Sequence, residues 1–352
     1  MYPKIHIHLK KYAHNVNFIT TLLHKHNLSI MAVSKVFSAD PRLIEVLNKE
    51  DIDYIADSRI DNLKKIVTNK PKVLLRIPKM SEVSEVIMHT DISLNSELEI
   101  IDLLNTAAHK LKKIHSIILM FDIGDLREGI YYKEDYLSTV KKILSMSNIK
   151  LLGIGTNLTC YGAVIPTEET YEKLEDIIKN IESNLSIKID LISGGNSSSL
   201  LMLMNQTLPK YINNLRIGEA LVLGRETAYG NLIEGLYDDV FTLEAEIIEI
   251  KVKPSMPEGI TGMDAFGKKV RFFDQGMITR AILSIGRQDV DCANLIPPKG
   301  VNILGCSSDH LIVELKNLDL EIGDTITFKL NYGGILSLMT SPYVEKTYDK
   351  SL

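Results

Sequence analysis

Short apolar runs alternate with amphipathic stretches from about residue 28 to residue 218. The runs LSIMAVS (28–34), IDYIA (52–56), KVLLRI (72–77), DISL (91–94), SIILMFDI (116–123), KLLGIGTN (150–157), KIDLISGG (188–195) and NLRIG (214–218) read as strands. Between them, PRLIEVLNKE, SRIDNLKKIV, SEVSEVIMH, SELEIIDLLNTAAHKLKKI and TYEKLEDIIKNIESNL repeat their apolar residues at three- and four-residue spacing, as helices with one buried face do. Asp40-Pro41 reads as an N-cap followed by proline at the first helical position, and Ser81-Glu82 and Ser96-Glu97 as oxygen caps before acidic first turns. Strands apolar on both faces predict a parallel sheet covered by helices. Eight such units predict a closed (β/α)8 TIM-type barrel over residues 10–235, within an α/β fold. An open doubly wound sheet is the rival, weakened in its dinucleotide-binding form because no GxGxxG follows the first strand.

The period changes after about residue 236. FTLEAEIIEIKVK, KKVRFF, TRAILSIG, VNILG, HLIVEL and DTITFKL are short, rich in β-branched residues and separated by Gly, Pro, Asn and Asp, which predicts an all-β domain over 236–352. The run KIHIHL at 4–9 precedes the first helix and has no slot in a barrel, so residues 1–9 are expected to supply a strand to the C-terminal domain.

Composition narrows the function. The 352 residues suit a barrel plus an appendage of about 100 residues. A net charge of -5 with acids and bases interspersed carries no basic block, which argues against a nucleic-acid or membrane-surface partner. Three widely spaced cysteines without CxxC spacing argue against a disulfide framework and fit a reducing compartment. The N-terminus lacks the apolar core of a signal peptide, and the longest apolar runs are too short to span a bilayer, so a cytoplasmic protein is expected. Eight of the nine histidines lie in the N-terminal third without metal-ligand spacing, and no metal is expected.

In a barrel of this kind reactive groups project from the C-terminal ends of strands. The first strand delivers Lys35, the fifth Asp122 and Arg127, the sixth Asn157, the seventh the segment SGGNSSS (193–199), and the eighth Arg216. Lys35 has a plain alternative as a surface lysine. At the edge of an apolar barrel, however, its ammonium is disfavoured and the free amine can attack an aldehyde. SGGNSSS has a plain alternative as a flexible loop. Loops after strands seven and eight of such barrels commonly hold a phosphate, and Ser197 and Gly218 are placed for it. An aldehyde-reactive lysine with a phosphate cradle suggests pyridoxal 5′-phosphate.

Taken together, AVSK, GDLREG, GTNLT, SGGNSSS, LRIGEALVLG and GCSSDHLIVEL resemble, in order and spacing, the segments of the alanine-racemase-like fold-type III pyridoxal-phosphate enzymes. AVSKVFSADP, GTNLTCYG, SGGNSS, LVLGRE and IGRQDVD are most similar to the ornithine racemase subgroup. The resemblance implies an amino-acid racemase acting on ornithine or a related basic amino acid, working as a homodimer with shared active sites. It implies Lys35 as the cofactor lysine and one of two catalytic bases, and Arg216 facing the pyridine nitrogen. Ser197, Gly218 and Tyr332 would contact phosphate, with Asn157 beside the cofactor. Arg127 would lie near the substrate carboxylate, and Asp309 would be a mouth residue from the partner subunit.

Departures from the alanine racemase pattern concern the opposite face of the substrate. Where that pattern has a catalytic tyrosine in IGYADG, this chain reads IGRQDV and places Arg287, a poor base. The histidine that supports the tyrosine is Asn157 here, the lysine carbamylated in some relatives is Met120, and Ala39 replaces a tyrosine after the cofactor lysine. Asp309, Cys306, His310 and Cys160 are the candidates for the missing acid or base, Asp309 and Cys306 foremost. Arg287 and the carboxylates Asp289, Asp309, Glu219 and Glu226 are available to contact substrate, the carboxylates suiting a cationic side chain. The alternatives are an alanine or broad-specificity racemase, a non-catalytic pyridoxal-phosphate carrier, and a D-amino-acid aldolase, for which CSSDH supplies too few metal ligands.

Overall fold

The computed structural model describes every residue except 268, 270 and 350–352. Residues 10–238 form one compact unit, and residues 1–9 together with those from 239 onward form another. Strand β1 (Lys4–Ile7) opens the chain and belongs to the second unit.

The first unit contains β2 (Ser29–Val33), β3 (Tyr54–Asp57), β4 (Lys72–Leu74), β5 (Ile92–Asn95), β6 (His115–Asp122), β7 (Ile130–Tyr131), β8 (Ile149–Thr156), β9 (Leu191–Ser193) and β10 (Asn214–Ile217). All the pairings are parallel, and the ring closes where β10 lies against β2 with Arg216 opposite Met31, which rules out the open sheet. The eight expected strands are the eight barrel strands. The two-residue β7 beside the end of β6 was not expected. Both faces are buried because Met31, Val33, Ile118, Met120 and Leu191 fill the barrel interior while the helices cover the outside. Each such side chain contributes about 1.5–3 kcal/mol. Met120 is fully buried in that core, so the position of the carbamylated lysine is a packing position in this chain.

Local capping follows the sequence in part. The Asp40 carboxylate accepts the Arg42 and Leu43 N–H groups at 3.0 and 3.3 Å, with Pro41 starting the helix. The two serine caps are corrected. Ser81 lies inside a 3₁₀ turn (Met80–Glu82), and the Glu82 carboxylate reaches back to the Lys79 N–H at 3.2 Å instead. Helix Leu98–Lys110 is preceded by Glu97, whose side chain makes no cap hydrogen bond.

One buried group gives the barrel a pH signature. His115 starts β6 and its Nε2 lies 2.8 Å from Ser93 Oγ. Burial pushes its pKa down to about 4. Between the ordinary histidine value near 6.5 and about 4, the unfolded chain binds a proton that the folded chain does not, so stability falls as pH drops through that window. The expected loss is about 3 kcal/mol. Denaturant titrations from pH 7 to pH 4 should show it in the native chain and lack it in His115→Gln.

The second unit is an antiparallel sheet of β11 (Phe241–Pro254), β12 (Met277–Leu283), β13 (Leu295–Ile296), β14 (Val301–Cys306), β15 (Leu311–Leu315) and β16 (Thr325–Leu330), in the order β13-β16-β11-β12-β15-β14. As expected, β1 joins it, antiparallel to β11 with Ile7 opposite Phe241, and a last strand β17 (Glu345–Tyr348) pairs parallel to β1. Two expectations are corrected. The unit is not purely β, because helix Tyr332–Thr340 is capped by Asn331 accepting the Gly334 N–H at 3.0 Å. Of the expected strand KKVRFF, residues 268 and 270 lie outside the described residues, and the described ones, 269 and 271–273, are exposed and in no strand. Among the described residues no helix is long and apolar enough to cross a membrane.

Candidate active site

The C-terminal ends of the barrel strands gather the polar residues. Lys35 follows β2 as the first residue of a 3₁₀ turn, Lys35–Phe37. Three features fix its backbone. Val36 and Phe37 are buried, Ser38 and Ala39 take left-handed φ values of 53° and 55°, and the preceding Ser34 is anchored to β3. Ser34 Oγ donates to Asp57 Oδ2 at 2.6 Å and the Ser34 N–H donates to the Ala56 carbonyl at 2.8 Å. Asp57 is buried and also accepts the Arg59 N–H (2.9 Å) and Asn62 Nδ2 (3.0 Å). Burial raises its pKa, against those hydrogen bonds. Half-buried Glu219 follows Gly218 after β10. Burial raises its carboxyl while the neighbouring Lys35 charge works the other way. A Cβ on Gly218 would lie 3.2 Å from Val33 Cβ, which is how closely the ends of β2 and β10 approach.

Arg216 is 5% exposed. Its Nη1 donates to Ser193 Oγ (2.5 Å) and to the Ser193 carbonyl (3.4 Å), and its Nη2 to the Thr156 carbonyl (2.6 Å) and Asn157 Oδ1 (3.3 Å). Burial pushes the guanidinium down to about 10, so it stays protonated near neutral pH. Asn157 Oδ1 also accepts Asn196 Nδ2 at 3.0 Å, which ties strand six to the SGGNSSS loop. Within that loop Asn196 caps the turn Ser197–Ser199, Ser197 Oγ accepts the Ala220 N–H at 3.2 Å, and Ser199 Oγ lies 2.9 Å from the Tyr171 hydroxyl, which also donates to the Gly194 carbonyl. Asn157 Nδ2, Ser198 Oγ and Thr156 Oγ1 are buried without a hydrogen-bonding partner. A buried donor in this state costs about 1–3 kcal/mol unless a polar group meets it.

Other candidates fall into structural roles. Asp122 Oδ1 accepts the Gly124 and Leu126 N–H groups, which shapes the turn carrying Arg127. Arg127 is exposed, with Nε 2.9 Å from Glu128 Oε2. Asp125, missed from sequence, accepts the N–H groups of Cys160, Tyr161 and Val164 and so joins the loops after β6 and β8. Cys160 is exposed on that second loop. Glu226 is removed from the carboxylates available to substrate. It is buried and accepts the N–H groups of Ala228, Tyr229 and Asn231.

A second cluster forms at one end of the β unit. The IGRQDV and CSSDH turns pack together, with the Arg287 N–H on the Ser307 carbonyl (2.9 Å) and the Gln288 N–H on that of Ser308 (3.0 Å). This joins residues far apart in sequence. Arg287 Nε donates to Cys306 Sγ at 3.3 Å, and its guanidinium lies 4.3 Å from the Phe266 ring centre. That hydrogen bond raises the arginine further, so Arg287 is a cation and not a base. Cys292, not foreseen, lies against Cys306, and burial pushes its thiol up to about 12. Asp309 is exposed and its carboxyl is held below the usual range by the Ser307 hydroxyl (3.0 Å), with His310 Nδ1 at 3.2 Å. An anionic Asp309 suits a cation better than it suits proton donation. Asp289 is corrected as a substrate contact, because it is buried and accepts the Ser341 hydroxyl at 2.6 Å. Tyr332 begins the capped helix, whose Asn331 N–H donates to the Asn294 carbonyl at 3.2 Å.

The alanine racemase N-terminal domain family matches residues 7–226. The chain belongs to the alanine racemase family. Along its length it is 47% identical to an ornithine racemase of Acetoanaerobium sticklandii over 98% of this chain and 99% of that protein. It is 40% identical to a lysine racemase of Thermotoga maritima, covering all of both. An alanine racemase structure from Clostridium difficile 630 superposes with a TM-score of 0.75 at 19% identity, over 99% of this chain and 96% of that one, and shares the fold. In this racemase, then, Lys35 and Arg216 stand on the barrel, and Arg287, Cys306 and Asp309 stand together on the β unit.

Proposed function

We propose that this racemase uses pyridoxal 5′-phosphate to interconvert L- and D-ornithine in the cytoplasm. The observation that carries the substrate is the end-to-end similarity to an ornithine racemase. The mouth of the barrel fits the cofactor. It offers an amine at Lys35, an arginine held by neutral oxygens at Arg216, and orphaned donors at Asn157 Nδ2 and Ser198 Oγ beside Ser197. Lys35 would hold the aldehyde carbon, Ser197, Ser198 and the backbone at Gly218 the phosphate, and Arg216 the pyridine nitrogen. When bound, the cofactor supplies an electron sink that acidifies the amino-acid Cα–H. Once the substrate's amine has taken its place, the freed Lys35 amine would take the Cα proton on one face, and an acid on the other face would return one. Arg216 offers only N–H donors and gives up no proton. Arg127 orients the substrate carboxylate.

For the second face, Cys306 is the favoured proton carrier, because its sulfur accepts the Arg287 Nε–H in the cluster that also holds Asp309. Asp309 is the carboxylate for the cationic side chain. Cys306, Arg287 and Asp309 would be contributed by the partner in a homodimer, and sedimentation equilibrium should return twice the 39.5 kDa chain mass.

Chiral chromatography after incubation with L-ornithine, L-lysine and L-alanine tests the activity. The D-isomer of ornithine should accumulate fastest, and faster turnover of alanine would overturn the substrate assignment. Asp309→Asn should lower kcat/KM for ornithine by about fivefold, the worth of an exposed ion pair, and leave alanine unchanged. Equal losses for both would refute charge recognition.

A further inference from the structure

The histidines show no ligand spacing among themselves, yet the fold gathers two of them around a carboxylate from the far end of the chain. His6 lies on β1 and His8 one residue past its end, two positions apart, the spacing that puts side chains on one face of an extended chain. The parallel pairing of β17 sets His6 opposite Thr347, which carries Asp349 to the same face two residues further on. His6 Nε2 and His8 Nδ1 lie 3.0 and 3.1 Å from the same oxygen, Asp349 Oδ1, across 341 positions of sequence in the case of His8. His6 Nδ1 lies 3.1 Å from Thr347 Oγ1. The three side chains are each about a quarter exposed, at 27%, 26% and 24%.

We propose that His6, His8 and Asp349 form a site for a borderline divalent cation, zinc first, which ties the two ends of the β unit together. Two imidazoles and one carboxylate are a usual protein ligand set for zinc, with bonds of about 2.0–2.2 Å. Ligand atoms around such an ion sit about 3.0–3.5 Å apart, and the His6 and His8 separations from Asp349 lie at the short end of that range. The Thr347 hydroxyl supplies what a ligating histidine requires on its other nitrogen: with His6 Nδ1–H donating to Oγ1, Nε2 is left as a lone pair aimed at the ion. Partial exposure leaves room for water in the fourth position. Nothing in the proposed racemase chemistry uses these residues.

Among the described residues one other group, Asp291, Cys292 and Cys306, brings three potential ligands within 4.8 Å, so the experiment must separate the two. The purified holoprotein is stripped with a chelator and dialysed against graded zinc chloride. Bound zinc is counted by mass spectrometry, and thermal unfolding is followed with and without the ion. One equivalent per chain and a zinc-dependent rise in Tm are expected, and both should persist in Cys292→Ser/Cys306→Ser. Asp349→Asn and His6→Gln should weaken zinc by about 100-fold or more, and Thr347→Val by about tenfold. Thr347→Val keeps all three ligands, so it remains decisive if the ligand variants fold poorly. No zinc uptake, uptake abolished in the double-cysteine variant, or unchanged affinity in Thr347→Val together with any folded ligand variant would each overturn the site.

Discussion

Lys35→Ala is expected to lose at least about 10⁴-fold in racemisation of ornithine, the upper range for removing one general base, with its unfolding midpoint nearly unchanged. The size follows from how much of the site converges on one amine. β2 ends at Val33 in the filled barrel interior. Ser34 is clamped to Asp57, and the left-handed pair Ser38-Ala39 turns the chain away immediately afterwards. The backbone of Lys35 is therefore held on both sides, and the side chain is delivered at the strand end with Glu219 as its neighbouring carboxylate. Stability should be spared because the lysine itself is only half-buried, whereas the residues that fix it are not substituted. Lys35→Arg keeps a cation of similar length but cannot attack an aldehyde or give up its proton, so the loss should be as deep. Chiral chromatography measures the rate, and a visible absorption band present in the native holoprotein should be missing from both variants. Residual activity within tenfold of native would remove Lys35 from the chemistry.

Lys35 was legible in the sequence because period and position agree. Six apolar-leaning residues end in a lysine where a barrel strand must end, and the same logic located Arg216 and the SGGNSSS loop. The supporting contacts were harder to see. Ser34 and Asp57 each close an apolar run, a visible signal, but their pairing depends on the register of β2 against β3, with Val33 opposite Ala56. Asp125 sits in a segment whose pattern draws the eye to Arg127, while its carboxylate organises a loop 36 residues away. Carboxylates read from sequence count as available charge, but Asp289 is taken up by the Ser341 hydroxyl 52 residues away and Glu226 by backbone donors of its own loop, a choice that composition does not encode. The adjacency of Cys292 and Cys306 comes from a 3₁₀ turn (Cys292–Asn294) lying against the end of β14, and that of His6 and Asp349 from the parallel pairing of β1 with β17. Sequence spacing carries no trace of such contacts.

Arg216 is the second residue whose replacement should be severe, and the conservative change is the informative one. Arg216→Lys keeps the positive charge but exchanges a planar fork for a single ammonium. The native side chain serves two sides at once, Ser193 through Nη1 and Thr156 with Asn157 through Nη2. One nitrogen cannot reach both, so at least one buried carbonyl is left without a donor, at about 1–3 kcal/mol. Asn157 would lose its brace, and with it the link through Asn196 that holds the SGGNSSS loop to strand six. Catalysis should suffer more than stability, because the loop and the strand end carry the orphaned donors assigned to the cofactor. The expected result is a fall in kcat/KM for ornithine of about 10²–10³-fold, the size of effect a displacement of about 1 Å can have on a positioned site. It should be accompanied by a loss of about 1–3 kcal/mol in denaturant unfolding and weaker retention of pyridoxal 5′-phosphate on dialysis. Arg216→Met removes the charge as well, leaves the Ser193, Thr156 and Asn157 oxygens all without that donor, and should destabilise the barrel further. If Arg216→Lys kept native rate, stability and cofactor retention, the forked geometry would be incidental and the charge alone would account for the arginine.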